Sequence, residues 1–396
     1  MSRYLTADLP GTGGSYKEQP DDFQVEELPL YPCAGNGEHL YLWIEKSGIS
    51  TRELISQLCK GLRIQERELG YAGLKDARAR TRQMISVPES CAKRLASLKL
   101  QHATILKTDR HSNKLRLGHL AGNRFSIRLH NVTKEALPRA EAILQVLQQR
   151  GVPNRFGEQR YGILGNSAQL GMSLLQGRYE DFCRELLGDP EQIRNQEWRA
   201  AAAAYRAGEL QQALSHLPKR MRDEQQLLRT LLEGKGYRSA CFSLPRKLLR
   251  LFLSASQSEL FDRLLELRLP NLDQLIDGDI AVKHVNGACF RVATAATEQP
   301  RVDTFEISAS APLFGPKALL ADGLPGQWEQ QLLDQNGLSL DSWKLGEGLT
   351  MPGERRPLRV QLLGPAVSSD APDSLLLSFS LPKGSYATSV LHEIIK

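Results

Sequence analysis

The sequence predicts an α+β protein in which a mixed domain, contributed by both ends of the chain, is interrupted by a mainly helical insertion. Three observations carry this prediction. The first 157 residues are rich in short segments that alternate apolar and polar residues, the pattern of half-buried strands. From about Gly162 to Leu269 the chain is instead dominated by Ala, Leu, Gln and Glu at helical spacing. After about Met351 the strand patterns resume.

Taken in order, the polar, glycine-rich stretch up to Gly14 is expected to be poorly ordered or loosely docked. PDDFQVEE (20–27) follows a turn, and alternation places Phe23 and Val25 on one strand face. HLYLWIE (39–45) reads as a strand. Ser50 and Glu53 form a capping-box pattern, Leu54, Ile55, Leu58 and Cys59 an apolar helical stripe, and Gly61 the expected C-terminal cap. Residues 69–72 and 84–87 read as short strands on either side of GYAGLKDARARTRQ (70–83), which puts Asp76 in a connection that a sheet can aim. In KLRLGHLAGNRFSIRL (114–129), Phe125, Ile127 and Leu129 share a strand face and Asn123 falls in a Gly-Asn turn. A helix over 134–150 follows, with Ala140, Ile143, Leu144 and Leu147 inward and Gly151 as its stop.

GVPNRFGEQRYG (151–162) is rich in turn formers and carries Arg155, Phe156, Arg160 and Tyr161; a domain boundary is expected near Glu158. The stretches 199–232 and 246–267 have heptad-like helical spacing. A hairpin over 277–292, a strand at 305–308, a short helix near Trp328, strands at 358–363 and 374–381 and an amphipathic helix over 385–395 complete the chain.

Composition narrows the function. With 41% hydrophobic and 24% charged residues, no apolar run of about 20 residues and no basic-then-apolar N-terminal pattern, a soluble cytoplasmic protein is expected. The six cysteines stand singly and no histidine pattern joins them, so neither a disulfide framework nor a metal site is expected. The net charge of +6 is modest. Between Gly73 and Leu117, however, eleven Lys or Arg face three acids, a local excess suited to a polyanion.

Asp76 stands within that excess, beside Lys75 and ahead of Arg78, Arg80 and Arg82. Neighbouring cations favour the ionised carboxylate, which suits a nucleophile or base and not a proton donor. The plainer reading is a turn residue with solvated charged neighbours.

GYAGLKDARARTRQ, KLRLGHLAGNRFSIRL, GVPNRFGEQRYG and LPKGSYATSVLHEII, in this order, with PDDFQVEE near the start and RRPL at 355–358, resemble the tRNA pseudouridine synthase D (TruD) family. The resemblance runs from about Pro20 to the C-terminus and is weakest across 175–246. It implies a pseudouridine synthase catalytic domain with a mixed, largely antiparallel sheet, formed by 1–157 and 352–396, and a family-specific α/β insertion over 158–351. It also implies Asp76 as the catalytic aspartate, and Phe23, Asn123 and Tyr386 as contacts to the substrate uridine. Tyr386 stands where relatives carry phenylalanine, which keeps the stacking face and adds a hydroxyl. Phe125 is a second candidate to stack on the base, and Lys75, Arg78, Arg80, Arg82 and Arg155 are candidates for RNA contact, with Lys75 on phosphate or structural duty. The implied reaction isomerises a flipped-out uridine in tRNA, typically uridine 13 of the D-arm, with no cofactor and no metal. No obligate protein partner is evident, and a monomer is expected. The alternative from another class is a non-catalytic RNA-binding or RNA-folding module using the same basic face.

Overall fold

The computed structural model describes residues 4–16, 18–162, 164–346 and 348–396. Its contacts divide into two compact units: one is formed by the residues up to Pro153 together with Val360–Lys396, the other by Asn154–Arg359.

The first unit is built on an eight-stranded sheet. Its order is Leu363–Ala371, Ser374–Pro382, Leu120–His130, Phe23–Pro29, Arg80–Pro88, His39–Ser47 and Ala103–His111, with the short Gly70–Tyr71 also paired to Arg80–Pro88. The central pair, Phe23–Pro29 with Arg80–Pro88, is parallel, and its neighbours are antiparallel. The sheet is thus mixed and largely antiparallel, as the family resemblance implies.

Register fixes which side chains share a face. Lys46 stands opposite Thr81, Thr81 opposite Val25, and Val25 opposite Phe125. Two residues further along, Glu27 stands opposite Asn123 and Asn123 opposite Leu381. On this face helix Thr51–Leu62 buries Leu54, Ile55 and Leu58 against Leu42, Ile44 and Ile85. Helices Ala136–Arg150 and Ala387–Ile395 bury Ile143, Leu147, Val390 and Ile394 within the same unit.

Several expectations need correction. The chain before Gly14 is tied down: the backbone N–H groups of Leu5 and Thr6 donate to the Glu393 carboxylate, and Thr12 N–H donates to the Ile394 carbonyl. Residues 1–3 of that stretch lie outside the described residues. The left-handed cap of helix Thr51–Leu62 is Arg63, at φ 53°, and not Gly61. Gly61 is small for packing instead, since a Cβ there would lie 2.2 Å from Leu98. Asn123 sits inside strand Leu120–His130 and not in a turn. Gly122 beside it has no room for a side chain, because a Cβ would meet the Leu381 carbonyl at 2.2 Å.

The second unit packs helices Ser167–Leu175, Tyr179–Leu187, Gln196–Arg206, Leu210–His216, Arg222–Leu232, Gly236–Phe242 and Arg246–Arg268 around a core that includes Phe182, Leu227, Leu228 and Phe252. The stretch 199–232 is therefore three short helices, interrupted at Gly208, whose φ is +81°, and at Pro218. A four-stranded sheet ordered Glu354–Pro357, Ile307–Leu313, Ile280–Lys283 and Cys289–Arg291 completes this α/β unit. Among the described residues no helix is long and apolar enough to cross a membrane.

Candidate active site

The loop between Gly70–Tyr71 and Arg80–Pro88 carries Asp76, and three contacts hold it. Thr51, the first residue of helix Thr51–Leu62, accepts the Lys75 N–H on its Oγ1 at 2.9 Å and donates to the buried Gln83 Oε1 at 3.0 Å. Lys46 donates its Nζ to the Asp76 carbonyl at 2.7 Å and to the Ile49 carbonyl at 2.7 Å. The Asp76 carboxylate itself accepts the Arg78 N–H at 3.0 Å, a local turn that fixes the direction of Oδ1.

Lys46 is 1% exposed. Burial drives its pKa down to about 8; the Asp76 and Glu53 carboxylates oppose that shift, while the Lys75 ammonium adds to it.

Lys75 leads from this loop to the sheet. Its Nζ lies 2.8 Å from Glu27 Oε2, in a pair whose side chains are 5% and 1% exposed, and donates to Asn123 Oδ1 at 2.7 Å. Glu27 Oε1 in turn accepts the Met84 N–H at 3.3 Å. The Lys75 ammonium is thereby paired inside the protein, an arrangement that suits structural duty.

The aromatic candidates separate. Tyr386 precedes helix Ala387–Ile395 and is 38% exposed, on the segment that follows Leu381, the cross-strand partner of Asn123. Phe23 is largely buried, 6.2 Å from the Tyr16 ring and 6.3 Å from the Phe125 ring. Phe125 lies edge-on to Phe23 and 5.5 Å from Phe379, and at 6% exposed it packs in the core much as Phe23 does.

The arginines also separate. Arg78 is exposed on the Asp76 loop. Arg80 and Arg82 alternate with the buried Thr81 and Gln83, so their side chains leave the sheet on the face opposite Glu27 and Asn123. There Arg80 pairs with Asp21 at 2.9 Å and Arg82 with Glu45 at 2.8 Å. They remain partly exposed there, apart from the face that presents Glu27 and Asn123. Arg155 belongs to the second unit, where Glu266 pairs with its mostly buried guanidinium at 3.1 Å.

Lys46, Thr51, Gln83 and Glu27 were not singled out from sequence. Two of them left a legible signal. Lys46 continues the inward alternation Leu40, Leu42, Ile44, and Glu27 continues Phe23, Val25; a charged residue on an inward strand position requires a partner.

This geometry can hold one carboxylate by its loop and link it through Lys75 to a fixed amide, with an exposed aromatic on the segment that follows that amide's strand partner. A family model described as tRNA pseudouridine synthase D (TruD) matches residues 1–394. The chain belongs to the TruD family. A tRNA pseudouridine synthase D of Syntrophotalea carbinolica is 54% identical over all of this chain and 99% of its own length. The TruD protein of Geobacter sulfurreducens is 50% identical over 100% of this chain and 97% of its own, and that of Thermus thermophilus 37% over 99% and 92%. A solved structure described as a candidate TruD protein of Methanosarcina mazei superposes with a TM-score of 0.84 at 26% identity, covering 99% of this chain and 95% of that one.

Proposed function

We propose that the chain isomerises uridine to pseudouridine in tRNA, at uridine 13 of the D-arm, with Asp76 as the catalytic carboxylate. The observation that carries this reading is the three-point clamp on the 75–76 backbone and the Asp76 carboxylate, beside the sheet face that presents Glu27 and Asn123, in a chain matched by the family along its length. The target uridine leaves its stack to reach that face. Tyr386 stacks on the extruded base, Phe23 contacts the uridine, Asn123 contacts the base edge, and the exposed Arg78 meets backbone phosphate.

An ionised Asp76 starts the reaction, either by covalent attack or by taking a sugar proton. In both routes the C1′–N1 bond breaks with its electron pair going to the uracil, and the base turns; a C1′–C5 bond then forms as the Asp76–C1′ bond breaks, or as Asp76 returns the proton to the sugar, and the C5 proton is lost while N1 gains one. The catalytic domain of this reading comprises 1–157 and 352–396 and is interrupted by the family-specific insertion 158–351. The change of contacts at Pro153/Asn154 and Arg359/Val360 supports such an interruption, with boundaries a few residues away, so that strand Glu354–Pro357 falls with the insertion. A tRNA substrate places the enzyme in the cytoplasm.

The test is incubation with unmodified tRNA followed by carbodiimide modification and primer-extension mapping. A new stop reporting uridine 13 is expected. No new stop overturns the activity, and a stop only at another uridine overturns the assigned position.

A further inference from the structure

Lys75 does more than fill a buried site. An ammonium carries three donors and no acceptor, so it can pair only with the oxygen of a neighbouring amide. That makes the orientation of Asn123 a consequence of charge. With Lys75 Nζ 2.7 Å from Oδ1, the Asn123 nitrogen has to point away from the ammonium. Among the described residues no acceptor takes up that Nδ2 group. Glu27, directly across the strand pair from Asn123, holds the ammonium from its other side at 2.8 Å. It is itself fixed by the Met84 N–H. The three side chains thus form a chain in which each member dictates the next: carboxylate, cation, amide oxygen.

We propose that Glu27 and Lys75 are positioning residues that lock the Asn123 amide with its oxygen inward, so that its Nδ2 group is presented as a donor to a carbonyl oxygen of the bound uracil. This deepens, and rests on, the reading of the chain as a uridine isomerase. The chemistry calls for a donor at that point. When C1′–N1 breaks, the uracil takes the electron pair, and the charge spreads onto its carbonyl oxygens. A preorganised N–H aimed there stabilises the transition state, whereas an amide oxygen would repel it. If the cation is removed, the Glu27 carboxylate becomes the strongest acceptor beside Asn123. The amide then turns to donate to Glu27 and shows its oxygen to the substrate.

The experiment measures single-turnover rate, tRNA affinity and thermal midpoint for four variants. Asn123→Asp replaces the donor by an acceptor of equal shape that still pairs with Lys75. It should keep its midpoint and affinity and lose about 100-fold in rate, the scale of removing one such donor. Lys75→Met should lose a similar factor, and Lys75→Arg, which keeps the cation, should recover most of it. Because Lys75→Met strands a buried carboxylate and can unfold the site, the neutral pair Glu27→Gln/Lys75→Met serves as control. It should regain the midpoint and remain roughly tenfold or more slower than wild type. A double variant restored in both midpoint and rate, or an Asn123→Asp enzyme within about threefold of wild type, overturns the proposal. An inactive wild-type protein would overturn the functional reading itself, which keeps the two failures apart.

Discussion

The buried ammonium of Lys46 lies 2.7 Å from the carbonyl oxygen of Asp76. It binds the loop that carries the carboxylate to the strand beneath it, and the same ammonium ties down Ile49 just before helix Thr51–Leu62. Lys46→Met keeps the apolar stem and removes both bonds. Misplacing a reacting group by about 1 Å costs on the order of 100-fold, so a 10- to 100-fold fall in kcat with little change in tRNA affinity is expected. Single-turnover kinetics at saturating tRNA checks it.

Lys46 also predicts a pH dependence of stability. Its folded pKa, about 8, lies below its ordinary value of 10.5, so between these limits the unfolded chain binds more protons than the folded one. Stability contributed by this site therefore rises with pH across that window. Denaturant unfolding of wild type and Lys46→Met at pH values from about 7.5 to 10.5 should show their difference moving in favour of wild type as pH rises. A difference independent of pH would contradict the burial argument.

Phe125 and Tyr386 should respond in opposite ways. Phe125→Ala empties a site between Phe23 and Phe379 and should cost about 3–5 kcal/mol of stability, read from the denaturant midpoint. Tyr386→Ala, at a part-exposed position, should leave stability within about 0.5 kcal/mol. It should lose about 1–3 kcal/mol of base stacking, read as weaker binding or a raised KM.

The arginines divide by face. Arg78→Gln should reduce the slope of log K against log salt for tRNA binding by about one. The double variant Arg80→Gln/Arg82→Gln removes exposed pairs with Asp21 and Glu45, worth about 0–1 kcal/mol each, and should leave both slope and turnover near wild type.

Much of this was legible in the sequence because period and turn chemistry agreed. The buried stripe of helix Thr51–Leu62, the inward residues of Ala136–Arg150 and the placement of Asp76 between strands all follow from spacing. Other features were hidden for physical reasons. Strand Ala103–His111 is a sheet edge whose residues are all at least partly exposed, so it lacks the alternation that marks a half-buried strand. Gly122 and Asn123 look like a turn pair, but the glycine answers the close approach of the Leu381 carbonyl inside a sheet. The arginine cluster reads as one basic patch along the chain, yet the two-residue period sends Arg80 and Arg82 to the far face. Lys46 and Glu27 could have been found by asking why an inward strand register ends on a charge. The partners that answer the question come from distant segments.

The most direct test of the central claim is Asp76→Asn, assayed for pseudouridine formation and for tRNA binding in parallel. The side chain keeps its shape and can still accept the Arg78 N–H on its oxygen, so the loop and the tRNA affinity should persist while pseudouridine formation disappears. An Asp76→Asn enzyme that makes pseudouridine at the wild-type rate would contradict the assignment of Asp76 as the catalytic carboxylate.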